Sequence, residues 1–237
     1  MLDIIEEAKF FELKEKCREL NVVPPPEIMI NLSVVKDGKV LFKDVQRGHS
    51  WTRNFYNILH SFSSDCVTSG AASFGAGYMT ARNTSGSITS TTSRSSGTVS
   101  STNVSYRADV GTLQGIVVGT NDAVFSANNY SLGAIVNNGT STGQLSYQAS
   151  TISAPAYTAG TKVWETTLSR ILNNNSGGSI TVKEVGLYLG SCFYIGILGA
   201  NNVWMTERSL LSPTVTIPDG AQLTVSYTIS TSFSAID

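Results

Sequence analysis

Ile180-Thr181-Val182-Lys183-Glu184-Val185-Gly186-Leu187-Tyr188 is the stretch on which the fold turns. Its β-branched and aromatic residues are too dense for a polar loop, and Ser176-Gly177-Gly178 punctuates its start, so it reads as a strand entered from a tight turn. Working outward, the same texture returns in Lys162 to Leu172, Cys192 to Leu198, Val203 to Arg208, Thr214 to Ile217 and Leu223 to Ser232. Toward the N-terminus it recurs in Leu113 to Val118 and Gly143 to Gln148. Asn138-Gly139, Pro213 and Pro218-Asp219-Gly220 are the other breaks. About eight short strands at this spacing, with no helical crossovers between them, predict a mainly β chain. The expected architecture is an antiparallel β-sandwich, jelly-roll or immunoglobulin-like, with its body over residues 106–237.

The composition suits that reading. Charged residues make up 14% of the 237 residues, against about 25% in an ordinary soluble protein. Ser and Thr therefore take the exposed strand positions that Lys and Glu would otherwise occupy. A net charge of -1 provides no broad basic surface for nucleic acid or an acidic membrane. The acidic start of the chain lacks the pattern of a signal peptide, and no window approaches the roughly 20 apolar residues of a bilayer span. A soluble chain, in contact with neither nucleic acid nor membrane, is expected. Cys17, Cys66 and Cys192 are odd in number and widely spaced, which predicts buried free thiols rather than a disulfide framework or metal site.

Charge is concentrated in residues 2–20, interleaved with Leu2, Ile5, Phe10, Leu13, Cys17 and Leu20. These apolar residues fall in one arc of a helix, and Ile4, Ala8 and Phe11 fall in a second. Pro24-Pro25-Pro26 must end that helix. Residues 1–26 thus read either as an arm with two apolar faces or as a helix folded back on its own domain. In the first case Ile4, Phe10, Phe11, Leu13, Pro24, Pro25 and Pro26 are the candidate interface. Residues 27–62 hold two β-rich runs flanking Asp37-Gly38, the signature of a type I′ hairpin, followed by a short helix that Ser50 could cap. Residues 63–105, rich in Ser, Thr and Gly, cannot form a core of their own and are expected as extended surface strands or a projecting loop.

Groups for catalysis are sparse. The two histidines, His49 and His60, are isolated, and the acidic residues show no paired spacing. Gly75-Ala76-Gly77 lacks the lysine of a phosphate loop. No enzyme, cofactor or metal site is expected. Charges inside apolar strands stand out instead. Glu184 shares a strand with Ile180 and Val182, and alternation puts all three on one face. A structural salt bridge from Glu184 to Arg170 or Arg208 would satisfy it.

Ser50-Trp51-x-Arg53-Asn54-x-Tyr56-Asn57, Gly115-Ile116-Val117-Val118-Gly119-Thr120, Tyr130-Ser131-Leu132 and Gly143-Gln144-Leu145-Ser146-Tyr147 occur in a fixed order. Ser169-Arg170, Asn173 to Tyr188, Thr206-Glu207-Arg208-Ser209-Leu210, Val215 to Gly220 and Leu223-Thr224-Val225 continue it. Together, over residues 47–230, they resemble uncharacterised structural (virion) proteins of tailed bacteriophages. The resemblance implies a homo-oligomer within a virion, contacting its own copies and the major capsid or tail proteins. A capsid cement or decoration protein is slightly favoured over a tail, baseplate or head-tail connector ring component. A receptor or glycan-binding fibre module is the alternative, in which exposed Trp164, Trp204 or Tyr157 would stack on sugar rings.

Overall fold

The structure, a computed structural model, describes residues 4–63, 79–91, 106–191 and 202–233. Helix α1 (Ile4–Glu19) precedes strands β1 (Glu27–Lys36) and β2 (Lys39–Arg47) and helix α2 (Arg53–Ser63). Strands β3 (Met79–Arg82), β4 (Ile88–Thr91) and β5 (Gly115–Gly119) follow. The short β6 (Ser146–Tyr147), β7 (Thr151–Ile152) and β8 (Ala156–Thr158) lead into four long strands: β9 (Val163–Asn173), β10 (Ile180–Ser191), β11 (Asn202–Ile217) and β12 (Gln222–Ser232).

Two antiparallel sheets stack as a sandwich. The first has the order β2-β1-β12-β9-β6, with β7 and β8 continuing along the far edge of β9, and the second has the order β11-β10-β5. Asp37 and Gly38 adopt φ of 50° and 73°, the left-handed pair that a type I′ turn requires, and they join β1 to β2 in register. Alternation then does the sorting. Ile28, Ile30, Leu32 and Val34 of β1 and Leu223, Val225 and Tyr227 of β12 point inward. There they meet Ile116 and Val118 of β5, Val185 and Leu187 of β10, and Met205 and Val215 of β11. The opposite face of the first sheet is the expected hydroxyl surface. Ser169 and Ser226 hydrogen-bond across β9 and β12 at 2.7 Å, and Thr167 and Thr228 at 3.1 Å.

Several expectations change. The hairpin within residues 27–62 belongs to the body, because β1 lies between β2 and β12. Val203 to Arg208 and Thr214 to Ile217 are parts of one strand, β11. Pairing passes from Glu184↔Leu210 to Val182↔Val215, so Leu211 to Thr214 form a bulge. Pro213 sits in it, where no ladder donor is needed. The bulge also changes the phase of β10: Val182 and then Val185 both enter the core, so Glu184 lies on the opposite face from Ile180 and Val182. Gly143 to Gln148 contains only the two-residue β6. Helix α2 starts at Arg53, and the Ser50 hydroxyl bonds the Trp51 carbonyl instead of capping it. Within residues 63–105 the described part is the β3–β4 hairpin. Cys192 to Leu198 lies outside the described residues.

Helix α2 and the β3–β4 hairpin cover the outer face of the second sheet. Ile58, Ala81, Leu189 and Trp204 form a small core there. Asn54 locks the arrangement: its side chain donates to the Arg82 and Met205 carbonyls and accepts from the Arg82 amide. The free edge of β11 is covered by the end of β2 and the segment entering α2. Gln46 donates to the Leu210 carbonyl and accepts from the Ser212 amide, and the Thr52 amide donates to the Thr206 carbonyl.

Candidate functional site

Helix α1 is laid against the first sheet by a stripe that mixes charged and apolar residues. Glu7, Phe10, Lys14 and Cys17, spaced three or four apart, form the docked stripe. Arg47 of β2 pairs with Glu7 at 2.6 Å and with Glu27 at 2.9 Å, and Lys14 reaches Glu27 at 2.6 Å. The Arg47 guanidinium also lies over the Phe10 ring, 3.9 Å from its centroid. The predicted apolar arc is therefore split. Phe10 and Cys17 go to the docked side, while Leu13 and Leu20 face solvent with relative exposures of 42% and 73%, as does Phe11 of the second arc at 60%. Val22 and Val23, beyond the helix, are exposed as well.

Of the other candidate interface residues, Pro24 is buried, Pro25 is exposed and Pro26 is partly buried. The Pro26 carbonyl accepts the Trp51 indole N–H at 2.8 Å, which anchors the spacer to the body. The side chain of Ile4 lies outside the described set. The Cys17 thiol is free and buried, as expected; Cys66 and Cys192 lie outside the described residues. Among the described residues no three His, Cys, Asp or Glu side chains gather closely enough to hold a metal ion.

Glu184 and Arg208 form the buried ion pair. Arg208 Nε donates to Glu184 Oε2 at 2.7 Å, the Ala134 amide donates to Oε1 at 3.2 Å, and Arg208 Nη2 donates to the Ala123 carbonyl. Arg208 Nη1 is buried without a hydrogen-bond partner. Room for the carboxylate comes from Gly119 on β5: a Cβ there would stand 2.5 Å from Glu184 Oε1 and 2.7 Å from the Ala134 carbonyl oxygen.

Arg170 takes no part in that pair. It points into the sandwich and donates to five backbone carbonyls, those of Asp109, Thr112, Gln114, Ile116 and Gln148. Its guanidinium lies 4.8 Å from the centroid of the Tyr147 ring. Carbonyl dipoles replace the counter-ion, and one side chain holds the irregular segment ahead of β5 to the first sheet. Burial lowers its pKa to about 10, which leaves it charged at neutral pH.

Glu207 was not singled out in the sequence. It follows Met205 at an alternate position of β11, so it points between the sheets and is fully buried. One carboxylate oxygen accepts the Ser209 hydroxyl, and the other accepts the Tyr227 hydroxyl at 2.8 Å. The Ser209 oxygen in turn accepts the His49 backbone amide at 2.7 Å. Burial raises the Glu207 pKa to about 7, and the hydroxyls, the His49 amide and Arg208 counter it only in part. The only sequence signal was a carboxylate in a strand-like run, between Thr206 and Arg208. The His49 ring stacks on Phe125 with centroids 4.5 Å apart.

The three aromatic residues of the glycan-binding alternative divide. Trp204 is buried in the small core. Tyr157 and Trp164 are exposed neighbours across the β8–β9 hairpin, their ring centroids 5.1 Å apart. Comparison of the chain with protein-family models, with curated proteins and with solved structures gives no match.

Proposed function

We propose that this chain is a non-enzymatic structural protein that assembles by packing against other copies of itself and against partner proteins, with α1 as its main contact element. The observation that carries this reading is the set of apolar side chains that the docked helix leaves exposed. Glu7, Phe10, Lys14 and Cys17 hold the helix to the body, and Phe11, Leu13 and Leu20 are left in water. Burying those side chains across an interface would recover roughly 25 cal/mol for each Å² of apolar surface covered. An isologous contact between two such helices presents the same apolar set on both sides.

The ordered set of sequence strings supports placing this assembly in the virion of a tailed bacteriophage. Within it, a capsid cement or decoration role is slightly favoured over a tail, baseplate or connector ring. Ion-pair docking of α1 suits a helix that can lie on its own body or clamp a neighbour. A second reading, a receptor or glycan-binding fibre module, draws on the exposed Tyr157–Trp164 pair.

The experiment compares the wild-type chain with a Phe11→Ser, Leu13→Ser, Leu20→Ser variant and with a chain lacking residues 1–26. The readouts are sedimentation velocity and incorporation into particles. Folded variants that lose self-association or incorporation support the assembly role. Variants that assemble as the wild type does refute it, and particles that assemble but no longer adsorb to cells favour the fibre reading.

A further inference from the structure

A cleft of about 320 Å³ opens between the start of α2, the β3–β4 hairpin and the segment Ala127 to Asn129. The Arg53 amide ties the segment to α2 through the Ala127 carbonyl, and Asn54 ties the hairpin to it, so three elements hold the cleft open. Two arginines line it, Arg53 from the first turn of α2 and Arg82 from the end of β3, and both are exposed. The Arg82 guanidinium lies 5.0 Å from the centroid of the Tyr130 ring, which limits its freedom before any ligand arrives.

No Asp or Glu is among the described residues that line the cleft. In a chain with net charge -1, two arginines lining one cavity without a carboxylate make a local positive site. Guanidinium forks match the planar, two-oxygen geometry of a carboxylate. A bare oxyanion would leave much of this volume empty, since 320 Å³ falls within the range of small organic ligand sites, about 300–1,000 Å³. The remaining wall mixes asparagines with small or apolar residues. Asn128 presents an amide group that both donates and accepts, as sugar hydroxyls require; Asn129, whose Oδ1 accepts the Ser126 amide at 2.7 Å, adds its amide NH2 as a donor, and Ile88 supplies an apolar rim.

We propose that this cleft binds a carboxylate-bearing sugar unit, with Arg53 and Arg82 on the carboxylate and Asn128 and Asn129 on the ring hydroxyls. The site shares no residue with α1 or with the Tyr157–Trp164 pair, so it stands or falls separately from the assembly role.

The test is an NMR titration of the full chain with D-glucuronate, D-glucose and sodium sulfate, each into the low hundreds of millimolar at constant ionic strength. Shifts of the Arg82, Asn128 and Asn129 amides report binding. Glucuronate is expected to bind at least about tenfold more tightly than either glucose or sulfate. Arg53→Ala and Arg82→Ala should each weaken it about tenfold, the loss expected for one charge-assisted contact. Arg82→Lys, which keeps the charge and loses the fork, should recover only part of the affinity. Both arginines are exposed, so the variants should melt as the wild type does. Glucose binding as tightly as glucuronate overturns the role of the arginines. Sulfate binding as tightly overturns the sugar assignment, and no shift in the cleft with any of the three overturns the site.

Discussion

Replacing Glu207 by Gln tests whether the carboxyl between the two sheets is held neutral. With a folded-state pKa of about 7 against an ordinary value of 4.5, the native protein keeps a proton that the unfolded chain has already released across that interval. Below the lower value both states are protonated, and above the upper one neither is. Between them the native state binds more protons, so stability must fall as pH rises, and it levels off above about pH 7. The interval is about two and a half pH units at about 1.4 kcal/mol each, or about 3 kcal/mol in all. That is a large share of the 5–15 kcal/mol typical of a folded domain. Glu207→Gln keeps an oxygen acceptor for the Tyr227 or Ser209 hydroxyl and cannot ionise. Urea unfolding at half-unit steps from pH 4.5 to 8.5 gives the assay. The wild type should lose about 3 kcal/mol relative to the variant over that range. A constant difference between the two proteins would refute the reasoning, as would a wild type that gains on the variant with rising pH.

The other buried charges give sharper losses. Glu184→Gln removes the counter-ion of an arginine that already has one unsatisfied nitrogen, and should lower urea stability by about 3–5 kcal/mol. An unchanged midpoint would mean that the pair contributes nothing. Arg170→Met should cost at least about 3 kcal/mol, because five backbone carbonyls lose their donor together. Hydrogen exchange should rise first in residues 109–118, and protection equal to the wild type there would contradict the anchoring role.

Legibility in the sequence followed the range of the interaction. The Asp37-Gly38 hairpin could be read because its cause lies in two adjacent residues. The long strands β9, β10 and β12 could be read because β-branched and aromatic residues are dense in them and turn residues bound them. Pro213 misled because a break in local chemistry and a bulge within one strand look alike without the partner strand. The Glu184–Arg208 pair was reachable, since a buried carboxylate needs a cation and few were on offer. Arg170 was assigned to the same need, but its partners are main-chain carbonyls, which every residue carries and which leave no mark in the sequence. The cleft was out of reach for another reason. Arg53 and Arg82 belong to different elements, and only the packing of the hairpin on α2 brings them to one cavity. Helix α1 was read as having two apolar arcs, whereas ion pairs to Arg47 and Glu27 chose the docked side.

The bulge between Val182 and Glu184 makes β10 vulnerable to misregistration. A strand with apolar residues in both phases could slide by one position and still offer Val or Leu to the core. Glu184 removes that freedom. Moved by one residue, its carboxylate would turn toward the hydrocarbon between the sheets, away from Arg208 and from the gap that Gly119 leaves for it. The ion pair thus acts as proofreading for strand alignment, rejecting the shifted ladder whatever its net worth in the correct one.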